Sequence, residues 1–473
     1  MALPLDMQNA RPTTQNAWPN THNPRPKVAF RTIGCKLNQC ETAQMQELLV
    51  RAGYELVGWE EPANIRVINT CTVTAKSDRT CRREIRAARR LDPHCLVAVT
   101  GCYAQVDPQA VASIPGVDLV LGNIDKFKLA EVLRDLERSK SAGGITAAAE
   151  GPLVAVSPYP EQPAFEADFI THFYGYTRAF LKIQTGCNSR CSYCIVPSAR
   201  GPARSMPAGE VIAQVKLLEE RGFAEVVLTG INLGSWGREW REDGGAALAT
   251  GRAGPATSET APATRRAAPP PQATDGGSAA NTTTLAGLLK QLLEQTAVPR
   301  FRLSSIEPLE VDSSLLDVME AAEERVAHHF HLPLQSGSDA VLRRMNRPYR
   351  AAEYLRVVEE IVARFPNAAV GADVIVGFPG ESEQEFAQTL TFVERCPLTY
   401  LHVFSYSDRP GTPAYDMGPK VAPEVIHERS QRLRQLGERK KAEFRQRIAG
   451  SVQTALILRE PSPEGMLQGV TGN

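Results

Sequence analysis

From Lys27 onward, short apolar runs alternate with longer stretches whose apolar residues recur at helical spacing. KVAFRTIGC reads as a strand, Glu41–Ala52 as a helix and NIRVINTC as a second strand. Residues 76–90 read as a helix, CLVAVTGC as a third strand and Asp125–Lys140 as a closing helix. Strands alternating with helices predict an open parallel α/β sheet. A second run begins near Ala179, with strands AFLKIQTGC, EVVLTGINLG, FRLSSI, HHFHLPLQ, VGADVIVGF and LTYLHVFSY. Helices such as Gly209–Arg221 and Ala351–Phe365 fall between them. Six strand–helix units predict a partial (β/α)6 barrel, whose chemistry sits on loops at the carboxyl ends of the strands.

Breaks in the pattern divide the chain. Residues 1–25 are polar and Pro/Asn-rich, an expected disordered tail. The first α/β domain spans 26–140, and 141–172 is an Ala/Gly/Pro-rich linker. The barrel spans 173–419 and is interrupted at 241–282, where an Ala/Thr/Gly/Pro stretch without aromatic residues predicts a disordered insertion. Residues 420–449 form a basic helical segment. Residues 450–473 read as two short strands joined by a Pro-rich turn.

Composition changes this picture little. Apolar residues at 42% and charged residues at 22% are ordinary globular usage. Lys+Arg and Asp+Glu both number 53, which excludes a global basic field but not a local patch. No apolar run is long enough for a transmembrane helix, and the N-terminus lacks the features of a signal peptide. The expected location is cytoplasmic. Ten cysteines in 473 residues are too sparse for a disulfide scaffold, so clustered ones read as metal ligands or redox groups.

The sharpest signal is Cys187-Asn-Ser-Arg-Cys191-Ser-Tyr-Cys194, directly after a strand. Three thiolates in one loop suit three corners of an iron–sulfur cluster, whereas a structural zinc site wants a fourth ligand. The C-x3-C-x2-C spacing at the first strand of a β/α barrel is the radical S-adenosylmethionine (SAM) signature. A second set, Cys35, Cys71 and Cys102, follows three strands of the first sheet. In an open α/β sheet, ligands gather beyond the carboxyl ends of the strands. On spacing alone these are either buried structural cysteines or ligands of a second cluster. Cys40, Cys81, Cys95 and Cys396 read as structural, although Cys40 lies close enough to Cys35 to compete as a ligand.

The order GCK-x-N-x-x-E-T, NTCTVT, GCYAQ, CNSRCSYCIVPSARG, HLPLQSGS and DVIVGFPGE resembles the radical SAM methylthiotransferases over about residues 27–450. That resemblance implies an N-terminal cluster domain, a radical SAM barrel and a small C-terminal β-barrel that grips substrate. It also implies two [4Fe–4S] clusters, one held by Cys35, Cys71 and Cys102, the other by Cys187, Cys191 and Cys194. By the same resemblance, one SAM would methylate a sulfur presented at the first cluster, and a second SAM, reductively cleaved at the other, would give a radical that takes hydrogen from the carbon to be modified. GCKLNQCET, NTCTVTAKSD and CIVPSARG look most like the branch acting on N6-threonylcarbamoyladenosine at tRNA position 37, at C2 of the base. The isopentenyladenosine branch usually reads GCQMN at the first site, and the branch modifying a ribosomal protein aspartate reads GCPKN. A non-catalytic iron–sulfur RNA-binding protein is the alternative from another class. The implied partners are the tRNA anticodon loop and an electron donor such as flavodoxin or ferredoxin.

Further SAM contacts are candidates at barrel strand ends. Tyr193 would flank the adenine. Gly230 and Asn232 would let backbone approach the SAM amine. Ser304 and Glu307 would bond the ribose or amine, with a helix cap as the rival reading. Gln335 and Asp373 share such positions, with a satisfied structural polar group as the rival reading of each. His328, His329 and His331 alternate faces in a strand and read as structural. Residues 76–90 carry seven Lys/Arg against two acids, and 420–449 nine against four. Each reads either as a solvated face or as a phosphate contact whose binding falls with salt. Only 23 residues follow Gly450, fewer than the family's small β-barrel needs, so the expectation is a truncated grip and weak tRNA binding. The 241–282 insertion is expected to be removable.

Overall fold

The computed structural model describes residues 25–141, 151–165, 170–173, 176–241, 283–459, 462 and 464–473. Apart from Arg25 and Arg241, the expected tail and the expected insertion lie outside the described residues.

The first unit is a parallel six-stranded sheet in the order β2-β1-β3-β4-β5-β6. Its strands are β1 (Lys27–Thr32), β2 (Glu55–Leu56), β3 (Ile65–Thr70), β4 (Leu96–Gly101), β5 (Leu119–Leu121) and β6 (Leu153–Ala155). Around it lie α1 (Lys36–Arg51), α2 (Ala75–Leu91), α3 (Cys102–Val106), α4 (Pro108–Ala112) and α5 (Leu129–Ser141). The β3 strand is buried along its whole length, as a parallel strand covered on both faces must be. Two differences from the sequence reading appear. The helix expected from Asp125 starts as a 3-10 turn over Asp125–Lys128 before α5 begins. The segment expected as a linker supplies β6, which pairs in parallel with β5.

The second unit is an open barrel. Its six parallel strands are β7 (Ala179–Lys182), β10 (Glu225–Thr229), β11 (Arg300–Leu303), β12 (His329–His331), β13 (Ala369–Val376) and β14 (Tyr400–Ser405). Hydrogen-bonded pairing runs β7-β10-β11 and β12-β13-β14, and a bridge from Phe301 to Val326 joins the two halves. A small antiparallel pair, β8 (Gln184–Thr185) and β9 (Arg204–Ser205), follows the first strand. Helices α6 (Val196–Arg200), α7 (Ala208–Glu220), α8 (Leu285–Gln295), α9 (Ser313–Ala321), α10 (Asp339–Arg344), α11 (Ala351–Arg364) and α12 (Glu383–Arg395) complete the units. The long α13 (Pro423–Ile448) packs along β14. Gly437 allows that approach, because a Cβ there would lie 3.2 Å from Leu401 Cβ.

The outward faces of the barrel strands are apolar, and one core cluster joins Val226, Leu228, Phe301, Leu303, Val370 and Val374 to the outer helices. The inward face is different. Glu225 is in register with Arg300 and ion-pairs Arg178, Arg302 follows two residues along β11, His331 is in register with Gly371 and Tyr400, and Asp373 is in register with His402. Bulky branched residues fill the lumen of most such barrels; here the lumen is largely polar. The C-terminal strands β15 (Ala455–Ile457) and β16 (Gly469–Thr471) form an antiparallel pair. It docks at the amino ends of the barrel strands, where Arg300 donates to the Thr454 and Val470 carbonyls and Arg302 to that of Thr471.

Candidate active site between two sheets

Cys35, Cys71 and Cys102 follow β1, β3 and β4, three neighbouring strands of one sheet. Parallel pairing puts all three at the same edge. The spacing is made by glycines. A Cβ at Gly34 would lie 2.8 Å from Cys71 Cβ, and one at Gly101 2.4 Å from the Thr70 carbonyl oxygen. Both glycines also take positive φ, at +118° and +97°, where side chains are strained. Burial pushes the Cys71 thiol up to about 12, and neighbouring Cys102 and Cys35 add to the shift. Cys40 points elsewhere. Its sulfur accepts from the Lys182 backbone N–H at 3.4 Å, so it does not compete with Cys35. Cys81 Sγ donates to the Cys71 carbonyl.

The second triad sits on the loop after β8. Gly186 opens it with φ +71°, and a Cβ there would lie 1.9 Å from the Pro202 carbonyl oxygen. Ser189 N–H donates to Cys187 Sγ at 3.4 Å and Arg347 Nη1 to Cys191 Sγ at 3.3 Å. Burial raises Cys194 to about 12, with Cys191 and Cys187 raising it further.

Among the described residues the one compact three-ligand group is His331, Asp373 and His402, whose ligand atoms lie within 4.8 Å of one another. Each cysteine triad offers three thiols, a donor set that suits three corners of an iron–sulfur cluster.

The two edges face one cavity of about 180 Å³. Val73 and Thr74 from the Cys71 loop form one side, Tyr193 and Cys194 another, and Gln335, Asp373 and Ile375 the rest. Tyr193 therefore borders open space and also packs against the small core of Val341, Met345 and Phe378. Gly230 N–H donates to Ser304 Oγ at 3.3 Å, so Ser304 ties two strand ends together. Asn232 takes a hydrogen bond network of its own: its backbone N–H donates to Gln184 and its Nδ2 to Glu310 Oε1 at 3.0 Å. Glu307 ion-pairs Arg347 and forms no side-chain helix cap. Gln335 has φ +66° and bridges backbone to Asp373 and Ile375. Asn232 Oδ1 and Glu310 Oε2 are buried acceptors without partners. SAM's amine and ribose hydroxyls are donors of the kind such atoms require.

Asp373 lies in the lumen, with His331 Nε2 at 3.0 Å and His402 Nδ1 at 3.3 Å. Burial raises the Asp373 carboxyl, but the two imidazoles outweigh it and bring it down to about 2. The histidines alternate as expected. His328 packs on Phe365 outside the lumen, whereas His329 and His331 face Tyr400 within it. Both inward rings share the Tyr400 hydroxyl, at 3.0 and 3.2 Å.

Several residues escaped the sequence reading. Between the two units lies a buried charge cluster. Glu41 receives Lys126 Nζ at 2.6 Å, Arg200 Nη1 at 2.8 Å and Lys182 Nζ at 3.4 Å. Burial alone would raise the Glu41 carboxyl, yet Arg200, Lys126 and Lys182 hold it well below the usual range. Arg200 also donates to Asn38, and Asn123 reaches Cys102 Sγ at 3.8 Å. Glu41 and Arg200 stand inside the motifs GCKLNQCET and CIVPSARG, the one sequence signal that marked them. Of the two basic segments, α2 keeps Lys76, Arg79, Arg82, Arg83, Arg86 and Arg90 exposed. In α13, Arg429 is buried against Glu381 and Glu383, and Lys440 donates to the Glu394 and Cys396 carbonyls. That segment is in part structural.

The family models that match are the uncharacterized protein family UPF0004, over residues 27–122, and the radical SAM superfamily, over 181–237 and 280–393. The threonylcarbamoyladenosine tRNA methylthiotransferase of Aquifex aeolicus is 39% identical, over 92% of this chain and 93% of its own. The tRNA-2-methylthio-N(6)-dimethylallyladenosine synthase of Corynebacterium diphtheriae is 31% identical, over 90% and 75%. Among solved structures, the radical SAM methyltransferase TsrM of Kitasatospora setae superposes with a TM-score of 0.53 at 14% identity, covering 82% of this chain and 75% of its own. That likeness concerns the fold, and the relatives' identity and coverage carry the rest. The chain belongs to the radical SAM methylthiotransferase family and is an enzyme of that class.

Proposed function

We propose that this enzyme converts N6-threonylcarbamoyladenosine at tRNA position 37 to its 2-methylthio derivative. The observation that carries the reading is the shared cavity: the Cys71 loop and the Cys194 loop wall the same space. Cys194 lines it directly, and Val73 and Thr74 stand two and three residues after Cys71.

In this reading Cys187, Cys191 and Cys194 hold the radical SAM cluster, and Cys35, Cys71 and Cys102 a second [4Fe–4S] cluster. When bound, the first supplies the electron that splits SAM and the second presents sulfur. The protein's own residues orient and shield. Asn232 and Glu310 offer acceptors for SAM donors, with Tyr193, Gly230, Ser304 and Glu307 around them; Gln335 and Asp373 line the floor. Arg347 steadies Cys191 and Glu307. The exposed arginines of α2 and the exposed Val73 and Phe404 that line the cavity suit a single-stranded RNA loop, through phosphate contact and base stacking. An electron donor of the flavodoxin or ferredoxin class and a cytoplasmic location complete the proposal.

The identity of the GCK motif and the relatives' names favour the threonylcarbamoyl branch over the dimethylallyl one. Nucleoside mass spectrometry of tRNA from a host lacking its own methylthiotransferases, with this gene supplied, tests it. A new methylthio-threonylcarbamoyladenosine peak is expected. A methylthio-dimethylallyladenosine peak alone would overturn the branch.

A further inference from the structure

The barrel lumen carries a donor set to which the proposed reaction gives no chemical role. Three neighbouring strands supply one residue each: His331 from β12, Asp373 from β13 and His402 from β14. Parallel pairing sets Asp373 opposite His402, and His331 opposite Gly371, two residues back on the same face of β13. Asp373 Oδ1 lies 3.0 Å from His331 Nε2 and 3.3 Å from His402 Nδ1, and the three ligand atoms fall within 4.8 Å of one another. Neither ring nitrogen hydrogen-bonds that oxygen, which is a buried acceptor without a partner among the described residues. The rings stand beside the carboxylate rather than pointing N–H groups at it. A cation held at about 2.0–2.1 Å by such donors keeps neighbouring donors about 2.9–3.4 Å apart, and both separations from Oδ1 fall in that range.

A supporting shell is also present. Gly371 leaves the space in which the Tyr400 ring crosses β13, since a Cβ there would lie 1.9 Å from Tyr400 Cζ. The Tyr400 hydroxyl reaches His331 Nδ1 at 3.2 Å and His329 Nε2 at 3.0 Å. A partner on one nitrogen orients a ligand imidazole and leaves the other for the metal. In His331 the nitrogen left over is Nε2, the one beside Asp373. His402 is 55% exposed and Asp373 borders the cavity, which gives an ion a way in.

We propose that His331, Asp373 and His402 form a site for one divalent transition cation, with zinc preferred. Two imidazoles and a carboxylate suit zinc or ferrous iron, and the general order of affinities places zinc above iron. Three protein donors leave a fourth position for water or for an oxygen of a molecule in the cavity. The site uses neither cysteine triad and does not depend on which adenosine is modified.

The test uses the full chain, anaerobically reconstituted so that iron–sulfur clusters occupy the cysteines, with Zn2+ as the probe. After excess zinc is removed by gel filtration, about one zinc per chain is expected at unchanged iron content. Zinc-edge X-ray absorption should show only nitrogen and oxygen neighbours, at about 2.0–2.2 Å. Asp373→Asn and His402→Ala should lose that zinc, and Tyr400→Phe should bind it about 10- to 100-fold more weakly. Thermal melting confirms that each variant is folded. A wild type that retains no zinc overturns the proposal without any variant. A sulfur shell at about 2.3 Å would assign the zinc to thiols and overturn it as well. So would zinc retained in full by folded His402→Ala protein.

Discussion

At the residue scale, the site is governed by where carboxylates meet cations. Glu41 meets three and Glu225 three, but Glu310 has only Arg238, at 3.2 Å, with Glu307 opposing it. Burial pushes the Glu310 carboxyl up to about 7. An acid whose folded pKa is raised binds its proton more tightly when folded, so its contribution is complete below about pH 4.5 and is lost as pH climbs toward 7. Glu310→Gln should remove this dependence. In the protein without SAM, the variant is expected to overtake wild type as pH rises from 5 to 8, by up to about 3 kcal/mol. Urea unfolding at each pH measures the gap, and parallel curves would refute it. Of the six cysteines proposed as ligands, Cys187, Cys191 and Cys194 were legible from their spacing, and Cys35, Cys71 and Cys102 from the motifs that surround them. The cluster around Glu41 was not, since its partners lie 85, 141 and 159 residues away. No local pattern announces contacts of that range.

At the element scale, strand ends are placed by close backbone approaches. Gly186→Ala would force a positive-φ residue to carry a Cβ against the Pro202 carbonyl. Strain and overlap together should cost about 2–5 kcal/mol and displace Cys187, lowering iron retained by the barrel loop. Gly209 is the control. It lies in α7, and a Cβ there meets nothing within 4 Å, so Gly209→Ala should stabilise by up to about 1 kcal/mol. Denaturant unfolding with iron analysis distinguishes the two; equal effects would sink the argument. The long elements were legible. Every barrel strand and both named barrel helices stand within a few residues of their expected places. The strands β5 and β6 were not, because three residues are too few to show a period. Their pairing is decided by the neighbouring sheet edge rather than by their own sequence.

At the scale of the whole molecule, zero net charge conceals a sorted distribution: the positive excesses of residues 76–90 and 420–449 are offset by negative charge elsewhere in the chain. The proposed function calls for two clusters. Anaerobically reconstituted wild type should hold about eight irons and a Cys35/Cys71/Cys102→Ala variant about four, if each cluster has four irons. About four in both proteins would mean that the first sheet binds none. The joint between the units has a further consequence. β7 is the rim strand of an open barrel, and its Lys182 N–H is satisfied by the Cys40 thiol of α1. An uncovered rim is a template on which another chain can add a strand. The first domain therefore acts as a stopper as well as a cofactor platform. A barrel made without it would recruit a second copy of itself along that rim, and the two units can diverge in sequence only as far as this shared seam permits.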